Sequence, residues 1–158
     1  MMEEIIRLTK DLMRFKSMHS RPEEIKACAE FIEHLLTLWD VKYRRMDKEN
    51  IPSIFVLPHP DYAPVLLMSH IDVVDAPDAL FVPVEREGKL YGRGSVDDKY
   101  AAALSLVLLK EHGISGIVWG ADGDLSQHST EEHVNIESVN RLYRILNDFV
   151  KRIEKKWS

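Results

Sequence analysis

Apolar residues recur along the chain with the spacing of alternating helices and strands. Two helices are predicted first, over residues 3–16 and from Ser20–Pro22 onward, because each places its apolar side chains on one helical face. Two short strands follow, in VKYRRMD and SIFVLP. After them comes the stretch VLLMSHIDVV at 65–74. Its apolar run is typical of a strand buried on both faces and ends at His70, with Asp72 two residues later.

The second half of the chain continues this alternation. A pair of short strands is predicted around EREGKLY, and a helix from about Lys99 to Glu111 with Gly113 after its end. A last strand, GIVWG, leads through a polar loop to a final helix at roughly 136–154. This order of elements predicts an α/β fold, a three-layer αβα sandwich whose sheet contains parallel strands.

Composition and charge narrow the class of protein. With 158 residues and 45% hydrophobic content, the chain fits one compact domain. Its formal net charge of −5, without a basic stripe, argues against a nucleic-acid partner. No stretch has the length of a membrane span and MMEEIIRLTK lacks the features of a signal peptide, so we expect a cytoplasmic protein with no membrane partner. The single cysteine, Cys28, lies in a helical apolar pattern, which predicts a buried structural thiol.

Candidate chemistry lies at the expected ends of the strands, where α/β folds usually carry their sites. His70 and Asp72 follow the apolar run, Asp97 and Asp98 lie in YGRGSVDDK, and His128 lies in the loop after GIVWG. Two histidines and a carboxylate from separate loops form a reasonable zinc set. Residues two apart in an extended segment point the same way, so Asp72 can accept a hydrogen bond from His70 and fix its tautomer.

Each of these segments also has a purely structural interpretation. A histidine at the end of a strand is commonly a solvated loop residue. GRGSVDDK can be a tight turn before a helix whose acidic first residues suit its dipole. STEEH resembles a helix cap in which Ser129 or Thr130 caps and Glu132 reaches back. The residues by themselves leave the metal site and these structural roles open.

Three segments in combination resemble a known family. SHIDVV, YGRGSVDDK and HSTEEHVNIESV, in this order, are similar to the signatures of the dinuclear zinc exopeptidases, which include acetylornithine deacetylase, succinyl-diaminopimelate desuccinylase, aminoacylase and related carboxypeptidases. The resemblance implies that His70 binds one zinc, that Asp97 bridges two, and that His128 binds the second. It also implies that Asp72 is the catalytic carboxylate that orients His70, and that the Asp97–Asp98 peptide bond is cis.

The same resemblance implies a reaction and a class of substrate. Family members hydrolyse amide bonds of N-acyl amino acids or short peptides with metal-activated water and a glutamate general base. Here, however, LVLLKEHGIS is followed directly by GIVWGADGDLSQHS, without the acidic pair, the further ligand and the lid domain that the family carries in between. We therefore expect a single truncated catalytic domain over 1–158, with a deletion junction near 113–117.

The missing block leads to three expectations. At most one weakly bound zinc and little or no turnover are expected, with Asp122 or Asp124 as the nearest substitutes for the lost groups. Sheet edge that the missing block would cover favours a homodimer. An alternative is a non-catalytic scaffold or partner-binding module, natural or engineered. The sequence does not identify residues that bind the substrate.

Overall fold

The computed structural model describes residues 2–49, 51–56, 68–112 and 126–157, with side chains as far as residue 152. The helices in these ranges are α1 (Met2–Met13), α2 (Pro22–Leu38), α3 (Lys99–His112) and α4 (Ile136–Trp157), with a short 3-10 helix at Asp78–Phe81. The strands are β1 (Arg44–Lys48), β2 (Ile51–Phe55), β3 (Val84–Arg86), β4 (Lys89–Tyr91) and β5 (His133–Asn135). All four helices lie close to their predicted positions.

The described strands form two antiparallel sheets. β1 pairs with β2, and β4 lies between β3 and β5. The prediction of a mixed α/β fold is confirmed. Residues 65–67 and the GIVWG strand at 116–120, which the predicted parallel sheet requires, lie outside the described residues.

The described part of the apolar run differs from its prediction. Residues 68–72 are not in a strand, and Met68 is 74% exposed. A single parallel bridge joins Val73 to Met18, and the Val73 N–H donates to the Ser17 carbonyl at 3.0 Å. The predicted strand is therefore wrong at residues 68 and 69. Beyond His70, the Val73 backbone bonds to the segment after α1 instead of entering a ladder.

The core forms where α1 packs against α3. Helix α1 is amphipathic and buries Ile5, Leu8 and Leu12, whereas α3 is buried on almost every side. A helix that is apolar all round is expected to lie inside a protein, and three consecutive alanines, Ala101–Ala103, let its neighbours approach closely. None of the helices in the described ranges has the length and apolarity needed to span a membrane.

A buried lysine joins the start of α3 to the end of α1. The Lys99 side chain is fully buried, and its Nζ donates to the carbonyls of Leu12 at 2.9 Å and Phe15 at 2.7 Å. Carbonyls at the end of a helix lack partners within the helix, so the ammonium satisfies them. Burial lowers the pKa of Lys99 to about 8. This contact fixes the position of the turn that carries Asp97 and Asp98.

Helix α4 begins as predicted but has a different cap. Asn135 Oδ1 accepts a hydrogen bond from the Ser138 N–H at 3.0 Å, so Asn135 caps the helix. Ser129 instead donates to the Ser126 carbonyl at 2.7 Å. The interpretation of STEEH as the cap of α4 is wrong, because β5 separates this segment from the helix.

Candidate functional site

His70 and His128 lie on opposite oxygens of one carboxylate. His70 Nε2 is 3.1 Å from Asp97 Oδ1, and His128 Nε2 is 2.7 Å from Asp97 Oδ2. The three side chains are partly exposed, at 49%, 53% and 35% for His70, His128 and Asp97. His70 lies in the 68–72 segment, His128 lies in the loop before β5, and Asp97 lies in the turn before α3. The structure thus brings together the three residues that the sequence predicts as ligands.

The second nitrogen of His70 faces Asp72. His70 Nδ1 is 3.0 Å from the Asp72 main-chain carbonyl and 3.5 Å from its carboxylate Oδ1. A carbonyl only accepts, so Nδ1 carries the proton and donates. The Asp72 carboxylate is also 3.3 Å from His19 Nε2. Nothing in the local pattern around His19 indicates a partner 53 residues away, so only the structure places it beside Asp72.

The hydrogen-bonding requirements of these groups fit a cation. With Nδ1 donating to Asp72, the remaining nitrogen of His70 faces a carboxylate oxygen that also only accepts. Either a second proton on Nε2 or a metal ion bound by Nε2 and Oδ1 satisfies both atoms. His128 differs, because a single proton on its Nε2 already satisfies the contact with Asp97 Oδ2. Imidazole nitrogen and carboxylate oxygen are ligands that suit zinc, so the donor types fit this ion.

The donors are divided between two positions. In the described part of the chain, no three side chains of His, Cys, Asp or Glu converge on one ion position. Each position instead has one imidazole and one oxygen of Asp97. Asp122 and Asp124, the predicted substitutes for missing ligands, lie outside the described residues.

The electrostatic surroundings favour the charged form of His70. Burial acts to lower the pKa of His70. The hydrogen bond to the Asp72 carbonyl, the nearby charges of Asp72 and Asp98, and the hydrogen bond to Asp97 outweigh it, so this pKa is raised. Proton and metal ion therefore compete for the same nitrogen, since a ligating imidazole must be neutral.

Asp98 holds the backbone beside the site. The Asp97–Asp98 peptide bond is cis, as predicted. Asp98 Oδ2 accepts a hydrogen bond from the His70 N–H at 3.3 Å, so the turn before α3 is joined to the 68–72 segment. Burial raises the pKa of Asp98 to about 6 against the opposing effect of His70.

A buried ion pair that the sequence analysis missed lies behind the site. The Arg93 and Glu132 side chains are 4% and 1% exposed, and Arg93 Nη1 donates to Glu132 Oε2. Glu132 Oε1 accepts from the Gly94 N–H at 2.9 Å. The predicted role of Glu132, reaching back within a helix cap, is therefore wrong. The available signal was an arginine between two glycines, which by itself indicates no partner.

Neither glutamate of STEEH is placed as a general base. Glu132 is bound by Arg93 and Gly94, and Glu131 accepts from Arg86 Nη2 at 3.1 Å on the surface. Within the residues that the structure describes, the side chains of His70, Asp97 and His128 form hydrogen bonds and ion pairs with one another and with Asp72, and none with a glutamate.

A cavity of about 770 Å³ opens beside the histidine of the 68–72 segment. His70, Asp72 and Asp98 lie on its wall with apolar side chains of α2 and α3. Val56 and Met68, which flank the undescribed residues 57–67, line it as well. Part of the cavity wall therefore borders residues outside the described ranges, and the residues that bind a substrate are not assigned from it.

Comparison with known proteins identifies similar sequences in one peptidase family. Residues 66–119 match the profile of the peptidase family M20/M25/M40. The succinyl-diaminopimelate desuccinylase of Sulfurovum sp. is 34% identical over 112 residues, which cover 68% of this chain and 29% of that protein. The human N-fatty-acyl-amino acid synthase/hydrolase is 41% identical over 63 residues, or 34% of this chain and 12% of the relative. Its counterpart from Bos taurus is 30% identical over 122 residues, which cover 65% of this chain and 24% of that protein.

These matches are partial for the relatives, since the chain spans less than a third of the length of each one. The family match covers the segments SHIDVV and YGRGSVDDK. Their residues His70 and Asp97 are in contact in the structure. On this evidence the chain belongs to the peptidase family M20/M25/M40.

Proposed function

We propose that this chain carries part of the site of a zinc-dependent amidohydrolase or exopeptidase. The observation that carries the proposal is the Asp97 carboxylate, whose two oxygens face Nε2 of His70 and Nε2 of His128. The proposed substrates are N-acyl amino acids or short peptides. One relative is named as a succinyl-diaminopimelate desuccinylase and another as an N-fatty-acyl-amino acid synthase/hydrolase. Both names support a substrate in which an acyl group is attached to the nitrogen of an amino acid.

The residues have separate roles in this proposal. His70, Asp97 and His128 would hold the zinc, which when bound polarises a substrate carbonyl and acidifies water. Asp72 is the catalytic positioning group, because its carbonyl keeps the proton of His70 on Nδ1 and leaves Nε2 for the ion. Asp98 holds the main chain of His70 in place.

We further propose at most one weakly bound zinc and little or no turnover in this form. A positioned general base typically contributes about 10²–10⁴ in rate, and both glutamates of STEEH are bound elsewhere. The proposed unit is a single truncated catalytic domain over 1–158 in the cytoplasm. Its proposed deletion junction near 113–117 lies outside the described residues, and the family match continues through it to residue 119.

A second candidate function is a non-catalytic scaffold or partner-binding module. One face of the β1–β2 sheet carries Met46, Ile51 and Phe55, which are 57%, 53% and 44% exposed. These apolar side chains on a two-stranded sheet support a homodimer, because exposed apolar surface and free sheet edges tend to associate. Light scattering of the protein and of Phe55→Lys tests the dimer, which the substitution is expected to weaken.

Calorimetric titration with zinc, together with an assay of N-acetyl amino acid hydrolysis, tests the main proposal. We expect no more than one equivalent of zinc in the unchanged protein and weaker binding by His70→Ala and Asp97→Asn. His34→Ala is the matched control, since His34 is exposed on α2. Two tightly bound ions, or turnover that both substitutions abolish, would show that another residue, such as Asp122 or Asp124, replaces the missing groups. A protein that binds no zinc would favour the scaffold.

A further inference from the structure

The Arg93–Glu132 ion pair joins two segments that each carry a residue of the candidate site. All three residues of the turn 92–94 bond to Glu132: the Gly92 N–H donates to its main-chain carbonyl at 2.9 Å, and Arg93 and the Gly94 N–H donate to its carboxylate. Both oxygens of the carboxylate are therefore occupied. The loop that ends at Glu132 is attached to the turn by main chain and side chain together.

Arg93 also contacts the loop at the position of the histidine. Its Nη2 donates to the His128 main-chain carbonyl at 3.3 Å. His128 has a φ of +67°, in the left-handed region. Residues other than glycine seldom adopt this conformation and keep it only where the surroundings hold it. The guanidinium thus bonds to a residue whose backbone conformation needs an external constraint.

Burial makes this connection difficult to release. Both charged side chains are almost fully enclosed, at 4% and 1% exposed. A buried charge that loses its partner is strongly unfavourable, so the two groups stay together. The turn itself is rigid, because the Ser95 N–H donates to Gly92 at 3.1 Å and the Lys99 N–H donates to Gly94 at 3.0 Å. From this turn the chain runs directly into Asp97.

These contacts close a ring that runs from His128 to Glu132, across to Arg93, along the turn to Asp97 and back to His128. We infer that Arg93 and Glu132 are positioning residues that hold the His128 imidazole against the Asp97 carboxylate. Neither side chain touches the ion position or a substrate. The expected effect on zinc affinity rests on the proposed metal-binding function. The placement of the loop does not, because it is a property of the protein without metal.

Two measurements on the same variants test this inference. Glu132→Gln keeps the shape of the side chain and removes its charge, and Arg93→Met removes both guanidinium contacts. Glu33→Gln is the control, because Glu33 forms a partly buried ion pair with Arg45, at 2.7 Å, away from the Asp97 turn. Amide hydrogen exchange over residues 126–132 without metal reports the placement of the loop. Zinc titration then reports its consequence.

We expect Glu132→Gln and Arg93→Met to accelerate exchange in the loop at least about 10-fold, with exchange in α1 and α3 unchanged. Zinc affinity should fall about 10- to 100-fold, which is typical when a group supporting a ligand is removed. The control should alter neither. Unchanged loop exchange in a folded variant, or faster exchange spread evenly over α3 as well, would overturn the inference.

A double variant covers the case in which a single substitution prevents folding. Arg93→Met with Glu132→Leu replaces the pair by apolar groups of similar volume, which proteins often tolerate. It should fold yet still show a mobile loop, since the bond to the His128 carbonyl is absent. Recovery of both loop protection and zinc affinity would show that the pair only fills space. A mobile loop in variants of a protein that binds no zinc would support the positioning role and reject the metal proposal.

Discussion

Asp97 and His128 are 31 residues apart in the chain, yet Asp97 Oδ2 lies 2.7 Å from His128 Nε2. The first residue lies in the turn before α3 and the second in the loop before β5. Their contact brings two of the three family-like segments together. The neighbouring Asp98 has a different role, because its carboxylate accepts from the main chain of His70.

This difference predicts unequal effects of two matched substitutions. Asp97→Asn should lower zinc affinity by more than about 100-fold, because it removes the charge that faces both imidazoles. Asp98→Asn should lower it by about 10-fold, since only the support of His70 is weakened. Zinc titration at one pH compares the two. Equal losses would contradict the separate roles of the two carboxylates.

The buried ammonium of Lys99 predicts a pH dependence of stability. The folded-state pKa of about 8 is below the ordinary value of 10.5, so between these values the folded protein loses its proton before the unfolded chain does. Stability linked to Lys99 is therefore full above pH 10.5 and is lost as the pH falls through 8. Relative to Lys99→Met, the free energy of unfolding should rise by up to about 3 kcal/mol from pH 8 to 10.5.

Urea denaturation of both proteins across this pH range measures the difference. Taking the difference cancels the titration of Tyr143, whose pKa is raised by burial. The charge of Lys99 affects the pKa of Cys28, so both proteins carry Cys28→Ala. A flat difference across the range would show that the Lys99 ammonium is solvated, contrary to its burial against the Leu12 carbonyl.

Cys28 should resist alkylation in the folded protein. The thiol is fully buried, as the sequence predicts, and burial raises its pKa to about 11 although the charge of Lys99 opposes this. A shift of this size from 9.0 lowers the thiolate fraction at neutral pH about 100-fold, before access is considered. Iodoacetamide labelling followed by mass spectrometry checks this. Glu30→Cys in a Cys28→Ala background places a thiol on the exposed face of α2 and should label rapidly.

Two glycines with left-handed backbone should differ in their tolerance of alanine. At Gly92, with a φ of +136°, an added Cβ would lie 2.9 Å from the Leu80 carbonyl oxygen. At Gly88, with a φ of +71°, a Cβ meets nothing within 4 Å. Gly88→Ala should cost about 1 kcal/mol from backbone strain alone, and Gly92→Ala clearly more. The urea midpoints of unfolding of the two variants test this difference. Equal midpoints would mean that the 92–94 turn shifts to accept the Cβ without a loss of stability.

The periodicity of apolar residues was sufficient to predict all four described helices and the β3–β4 hairpin. Helices α1, α2 and α4 each bury one face, α3 is apolar on almost every side, and a glycine turn marks the hairpin, so these patterns are visible in the local sequence. The candidate ligands His70, Asp97 and His128 were also predicted from their segments. Strand β5 was not predicted, because three residues next to a helix are too few to show an alternation.

What the sequence by itself determined is therefore the four helices, the strands β1 to β4 and the chemical types of the candidate site residues. Only the tertiary structure decided that the cap of α4 is Asn135, that residues 68 and 69 leave the predicted strand, and that Glu132 is buried against Arg93. The last contact joins residues 39 apart in the chain. Local patterns report which face of a segment avoids water, whereas the partner of a buried charge depends on which distant segments the fold brings together.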